Sequence, residues 1–268
     1  MVSSRDPKRV RPSGLDAIVT TIDLTSLVNA LCSVAVTPDG TRVVCTATAL
    51  YAITRSGMQA LLAGHRTDTG FKDGQGGEGR FNYPQSIAVG GNGNPLVCEV
   101  DGNGNPLVCE SLNNTLRKVT LSGTVLTLAG NGQAGFADGV GAAARFNVPR
   151  GIVVDAQGAI FVADCKNHCV QQVEPGDRAV TTLVGVGGEK GFADGQHATA
   201  IFSKPCGLAL DLDDNLIVAG CRQQLHPEGH NCRGACNNGG RPYRATRIRR
   251  CLRRSRTLSS PAGRCRAR

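Results

Sequence analysis

The residues best suited to chemistry in this chain are scattered rather than gathered. Its five histidines, His65, His168, His197, His226 and His230, fall at unrelated positions. Acid–base or metal chemistry needs imidazoles and carboxylates held within hydrogen-bond or coordination reach of one another, so these read as loop histidines. Cys221, His226, His230, Cys232 and Cys236 lie close enough in sequence to suggest zinc, yet ten and three intervening residues between the successive cysteines match no common zinc knuckle. The run GVGGEKG, Gly185 to Gly191, lacks the Gly-Lys-Ser/Thr ending of a phosphate loop and precedes no helical pattern. Asn113-Asn114-Thr115 is a glycosylation sequon that matters only in a secreted chain. No catalytic residue, metal or cofactor is expected.

Carboxylates, by contrast, recur. Asp73, Asp138 and Asp194 each stand fourth in a Gly-Phe-x-Asp-Gly run, and Asp155 and Asp211 each close an apolar stretch. Recurrence at matched positions points to a structural duty in every repeat, with the side chains bonding neighbouring backbone N–H groups of tight turns. A calcium site would need several oxygens in one loop.

The elements that hold these residues are therefore repeats. The clearest copy runs GFADGVGAAARFNVPRGIVVD (Gly135 to Asp155), AQGAIFVADCKNHCVQQVEP and then VTTLVG (Val180 to Gly185). A second begins GFADGQHATAIFSKPCGLALD at Gly191, and an earlier one begins GFKDGQGGEGRFNYPQSIAV at Gly70. Phe136 and Phe192 are 56 residues apart, Phe71 and Phe136 65. The excess has a cause: GNGNPLVCE at 91–99 recurs unchanged at 102–110, an 11-residue duplication inside one unit. A degenerate fourth copy spans Ser33 to Gly64. Turn chemistry divides the best copy into four short strands, Gly151–Val154, Ala159–Ala163, Cys169–Val173 and Val180–Val184. The Phe and Pro of Phe81/Pro84, Phe146/Pro149 and Phe202/Pro205 are predicted to pack between successive units.

The order G-F-x-D-G, R-F-x-x-P, an apolar strand ending in Asp and then V-A-D-x-x-N resembles the NHL repeat, over residues 70–220 closely and 33–64 more loosely. The resemblance implies an all-β, β-propeller-like array of four-stranded antiparallel blades, in a family whose propellers commonly have six. It also implies loops on one face that bind proteins or RNA, and in a minority of similar propellers metal-dependent lyase activity. Here about three and a half units are present, so the array is expected to be incomplete or open, a fragment of a longer multidomain chain or one that closes with a partner. The expected layout is a lead-in at 1–31, units at 33–64, 70–130, 135–185 and 191–220, and an unfolded Cys/Arg-rich tail at 221–268.

Charge follows the same division. From Cys221 onward 13 arginines face the single acid Glu228, a net +12, so residues 1–220 carry 9 − 12 = −3 of the chain's +9. The repeats are thus slightly acidic and the tail strongly basic. No apolar run approaches the roughly 20 residues of a membrane-spanning helix. The twelve cysteines are irregularly spaced, which favours buried free thiols and a cytoplasmic location over a disulfide framework. The leading expectation is a non-catalytic scaffold binding a protein partner through turns at Ser111–Asn114 and Asp164–Asn167, with Asn113, Asn114, Lys166 and Asn167 as contact residues. The alternatives are RNA binding through the Arg-rich tail or a propeller face, and a metal-dependent hydrolase or lyase.

Overall fold

A computed structural model describes residues 31–89, 104–195, 197–211 and 214–220, with the backbone of a strand at 245–248. Short β-branched and aliphatic runs punctuated by Gly, Asp and Asn turns fold as four antiparallel sheets. The first contains β1 (Ser33–Val36), β2 (Arg42–Cys45), β3 (Ala49–Ile53) and β4 (Gln59–Gly64), paired in that order. The second contains β5 (Gly74–Gln75), β6 (Pro84–Val89), β7 (Pro106–Glu110), β8 (Thr115–Val119) and β9 (Thr124–Ala129), in the order β5-β9-β8-β7-β6. The third repeats this with β10 (Gly139–Val140), β11 (Pro149–Val154), β12 (Ile160–Asp164), β13 (Cys169–Val173) and β14 (Ala179–Val184). The fourth has β15 (Pro205–Leu210), β16 (Leu216–Gly220) and β17 (Ala245–Ile248).

Each sheet is one blade, and the cores lie between blades rather than within them. Phe81 sits with Val43, Leu50 and Val108 between the first and second blades, and Phe146 with Leu107, Leu116 and Ile152 between the second and third. Phe202 joins Phe161, Val184 and Leu216 between the third and fourth. The prolines at 84, 149 and 205 are buried beside them. The predicted interblade Phe/Pro packing is thus what the fold uses, and the second and third blades bury both faces, as thin layers of Val, Leu, Ile and Ala permit.

Three findings refine the sequence reading. The connector contributes a fifth strand: the two-residue β5 and β10 pair with the outermost strand of their own blade, so these sheets have five strands rather than four. The duplication resolves in favour of its second copy, whose Pro106–Glu110 forms β7 in register with β6 and β8; the first copy lies outside the described residues. Finally, Ala245–Ile248, inside the segment read from sequence as a tail, pairs antiparallel with Leu216–Ala219.

Irregularities recur with the blades too. The pairing of strands three and four skips a residue at Leu50/Tyr51, Leu116/Arg117 and Val170/Gln171. That of strands one and two skips at Pro84/Ser86, Pro149/Gly151 and Pro205/Gly207. Bulges of this kind bend and re-aim a strand, and those in strand one fall where the chain turns in from the connector.

Candidate functional site

Strand two of each blade ends at the same edge where the connector arrives, so the connector and the turn between strands two and three share one face. In the second blade this edge is built on a charge triangle. Glu110 and Arg117 have fully buried side chains, and Arg117 Nη1 donates to Glu110 Oε2 at 2.6 Å while Nη2 donates to Asp73 Oδ1 at 2.7 Å. The guanidinium also reaches the carbonyls of Lys72 (3.0 Å) and Arg80 (3.4 Å) and lies between the rings of Phe71 and Phe81, 5.2 and 5.5 Å from their centroids. Two rings, two carboxylates and two carbonyls form a cradle suited to the planar, weakly hydrated Arg fork.

Burial lifts the Glu110 carboxyl above the usual carboxylate range, and Arg117, the Asn82 N–H and the Thr115 hydroxyl oppose this. Every contact made to it is a donor, Asn82 N at 2.8 Å, Asn113 Nδ2 at 2.9 Å, Thr115 Oγ1 at 3.0 Å and Arg117. Such a set of donors favours the ionised form and opposes the effect of burial.

The third blade holds the same positions with different residues. Asp164 replaces Glu110 and Gln171 replaces Arg117, with Gln171 Nε2 only 3.3 Å from Asp138 and its Oε1 without a hydrogen-bond partner. Burial raises the Asp164 carboxyl from 3.8 to about 7, a rise opposed by the Asn147 N–H and by Asn167. In the fourth blade Gly220 takes this position. Arg with Glu in one blade and Gln with Asp in the next is a matched exchange within one chain.

The recurrent loop aspartates therefore do more than shape their own turns. Asp73 accepts from Thr127 N and Oγ1 at 3.1 and 2.9 Å, and Asp138 from Thr182 N and Oγ1, both at 2.9 Å. These bonds clamp the connector onto strand four of the same blade across 54 and 44 residues. Asp155 and Asp211 do act locally: Asp155 takes the N–H groups of Gln157 and Ala159, Asp211 that of Asn215.

Three of the four residues singled out for binding prove to be buried latches. Asn113 Nδ2 donates to Gly70 O (2.7 Å) as well as to Glu110, and Asn167 Nδ2 donates to Gly135 O (2.6 Å) and Asp164 Oδ2 (2.7 Å), so each fastens its turn to the connector. Asn114, at φ 54°, accepts Val148 N–H at 2.9 Å from the following blade. Lys166 alone of the four has an exposed side chain, its backbone N–H bonded to Asn147 O.

Sequence reasoning missed the partners of that interblade bond. Tyr83, Val148 and Lys204, each the residue before the strand-one proline, have φ of 55°, 54° and 49°, a region costly for non-glycine residues and most of all for a β-branched one. Each donates its N–H to the preceding blade, to Ala47 O, Asn114 Oδ1 and His168 Nδ1 respectively. His168 is held below its ordinary pKa by burial and by Lys190 and Lys204, which keeps its Nδ1 free to accept. The signal was the thrice-repeated Phe-x-x-Pro.

Above these latches the face is apolar. Phe71, Phe136 and Phe192, second in each Gly-Phe-x-Asp-Gly run, are 45%, 44% and 57% exposed, and Leu112 in the second-blade turn is 53% exposed. Of the five histidines, His226 and His230 lie outside the described residues with the other members of the Cys/His cluster. Among the described residues no three His, Cys, Asp or Glu side chains gather as a metal site. Cys45, Cys109 and Cys169 are buried free thiols, Cys109 pushed up to about 12 by burial, and Cys165 is buried with its Sγ 3.8 Å from that of Cys206. No helix of the described residues is long and apolar enough to cross a membrane.

Comparison with known proteins agrees with this architecture. The NHL repeat matches residues 146–173, from the interblade phenylalanine through β13. The chain is 36% identical over 88 residues to Protein SUPPRESSOR OF QUENCHING 1, chloroplastic, of Arabidopsis thaliana, a match covering 33% of this chain and 8% of that protein. It is 31% identical over 116 residues to NHL repeat-containing protein 2 of Bos taurus, covering 40% of this chain and 16% of the relative. Only a small part of either relative's length is therefore spanned. In fold, it is similar to a structural genomics protein of unknown function from Bacteroides thetaiotaomicron, with a TM-score of 0.56 at 18% identity over 72% of this chain and 45% of the other. Residues 146–173 are an NHL repeat, and the chain that carries them folds as an array of β-propeller blades.

Proposed function

We propose that this chain is a non-catalytic NHL-repeat scaffold that binds a protein partner through the face formed by its connectors and its turns between strands two and three. The carrying observation is a half-exposed phenylalanine at one repeat position in three successive connectors, the first two of which are fastened to their turns by partly buried hydrogen bonds. Aromatic side chains on a preorganised surface gain contact area with little ordering cost. Leu112, Tyr83 and Lys166 enlarge the same face. The buried free thiols of Cys45, Cys109 and Cys169 suit a reducing compartment, and a cytoplasmic location forms part of the proposal.

The face is tested by placing negative charge at side chains that serve no latch. Lys166→Glu combined with Leu112→Asp is expected to leave the melting temperature unchanged and to abolish recovery of a partner bound by the parent chain. Retention of every partner by the double variant would remove this face from the proposal. Partner loss on trimming Arg241–Arg268 alone, with salt-sensitive RNA recovery, would favour the nucleic-acid reading instead.

A further inference from the structure

The seam between the third and fourth blades carries two thiols in contact. Cys165 opens the turn that follows β12 and is buried, while Cys206 is the second residue of β15 and is half-buried. Their Sγ atoms lie 3.8 Å apart across 41 residues of chain. Cys206 is also the residue skipped when β15 pairs with β16, between Pro205 and Gly207. A bulged residue stands outside the ladder, and the bulge re-aims its side chain, here toward the neighbouring blade. The backbones approach closely as well: a side chain on Gly151 of β11 would meet Cys206 O at 2.7 Å. The same two repeat positions are Ala47 and Gln85 at the first seam and Ser111 and Arg150 at the second, so among the described blades the thiol pair belongs to the third seam. Its latch differs too. Lys204 N–H is received by His168 Nδ1 at 3.0 Å, where Tyr83 and Val148 are received by Ala47 O and Asn114 Oδ1.

We propose that Cys165 and Cys206 are a redox-active dithiol that oxidises to an interblade disulfide, with a low-molecular-weight disulfide such as oxidised glutathione as the oxidant. Cys206, the more accessible of the two, attacks one sulfur of the oxidant as its thiolate; the oxidant's sulfur–sulfur bond breaks and one glutathione thiolate leaves. Cys165, as its thiolate, then attacks Cys206 Sγ in the mixed disulfide and displaces the second glutathione. Two protein thiols and one oxidised glutathione thus give one protein disulfide and two glutathione thiols, a two-electron exchange that a dithiol reductant reverses. Sulfurs already in contact come to bonding distance by side-chain torsion, and Cys206 gives up its 3.0 Å bond to Lys204 O. The product ties β15 to the turn after β12 beside the His168 latch and closes a loop across one seam. In a reducing compartment, where disulfides are transient and redox-sensing, such a bond is a conditional clip. It stands apart from what the connector face binds.

The test equilibrates the unaltered full chain over a series of reduced to oxidised glutathione ratios, blocks it with iodoacetamide and maps it by peptide mass spectrometry without reduction. A peptide pair joined through Cys165 and Cys206 is the expected product, lost again on addition of dithiothreitol. Recovery of both cysteines only as alkylated or singly glutathionylated thiols at the most oxidising ratio would overturn the proposal. Hydrogen exchange read by mass spectrometry gives a second arm. Oxidation is expected to slow exchange at the Lys204 amide about tenfold and to leave the Val148 amide, the donor at the preceding seam, unchanged. In Cys206→Ser both amides are expected to be insensitive to the oxidant. Equal exchange at Lys204 in the two redox states, or a response that survives Cys206→Ser, would reject the clip.

Discussion

At the scale of single residues, the most consequential group is one buried arginine. Removing one partner of a buried ion pair leaves the other charge uncompensated, at a cost of about 3–5 kcal/mol. Arg117→Met is therefore expected to destabilise the chain by about that amount in urea unfolding, and Glu110→Gln added to it should recover part of the loss. If the double variant is no more stable than Arg117→Met, the coupling between the two is refuted. Asp164 makes an opposite prediction through its raised pKa. A carboxyl near 7 when folded and 3.8 when unfolded binds a proton in the native state that the unfolded chain releases between those values. The Asp164 contribution to stability is therefore fully present below pH 4 and is lost as pH rises to 7, by up to roughly 4 kcal/mol at about 1.4 kcal/mol per unit. Asp164→Asn should flatten that slope, so the variant's stability relative to the parent rises between pH 4 and pH 7 and levels above. An unchanged slope would show that Asp164 is not its source.

At the scale of elements, the blades are joined by bonds from residues that look unremarkable in sequence. Val148 pairs a β-branched side chain with φ of 54° to deliver its N–H to Asn114. Asparagine tolerates that conformation far better, so Val148→Asn is expected to raise stability by about 1 kcal/mol, whereas Asn114→Ala should lower it by about 1–2 kcal/mol by leaving that N–H without its acceptor. Denaturant titration of both variants checks the pair, and stabilisation by Asn114→Ala would contradict the latch.

The strands themselves were legible. Those expected at Gly151–Val154 and Val180–Val184 occur as Pro149–Val154 and Ala179–Val184, because alternating apolar residues and turn signals are local information. The latches were not. The asparagines at 113, 114 and 167 were chosen as polar turn residues, but nothing local reveals that their amides point inward to Gly70, Val148 and Gly135. The clamp from Asp73 to Thr127 likewise spans 54 residues. Only a comparison of equivalent positions between units, Glu110 with Arg117 against Asp164 with Gln171, would have exposed the charge triangle beforehand.

At the scale of the molecule, each blade is stabilised chiefly by its neighbours, with three core clusters at three interblade contacts. Such a stack positions surface loops at fixed intervals and asks little of any single loop. The half-exposed phenylalanines at 71, 136 and 192 are spaced by that stack, and their repetition is what marks the face as an interaction surface. The measurement that tests this most directly is site-specific photo-crosslinking in cells, with a photoreactive residue at Leu112 or Lys166 and, for comparison, at Gln157 in the turn between strands one and two. Adducts to one partner from positions 112 and 166, and none from 157, are the predicted result. Adducts from 157 alone would contradict it.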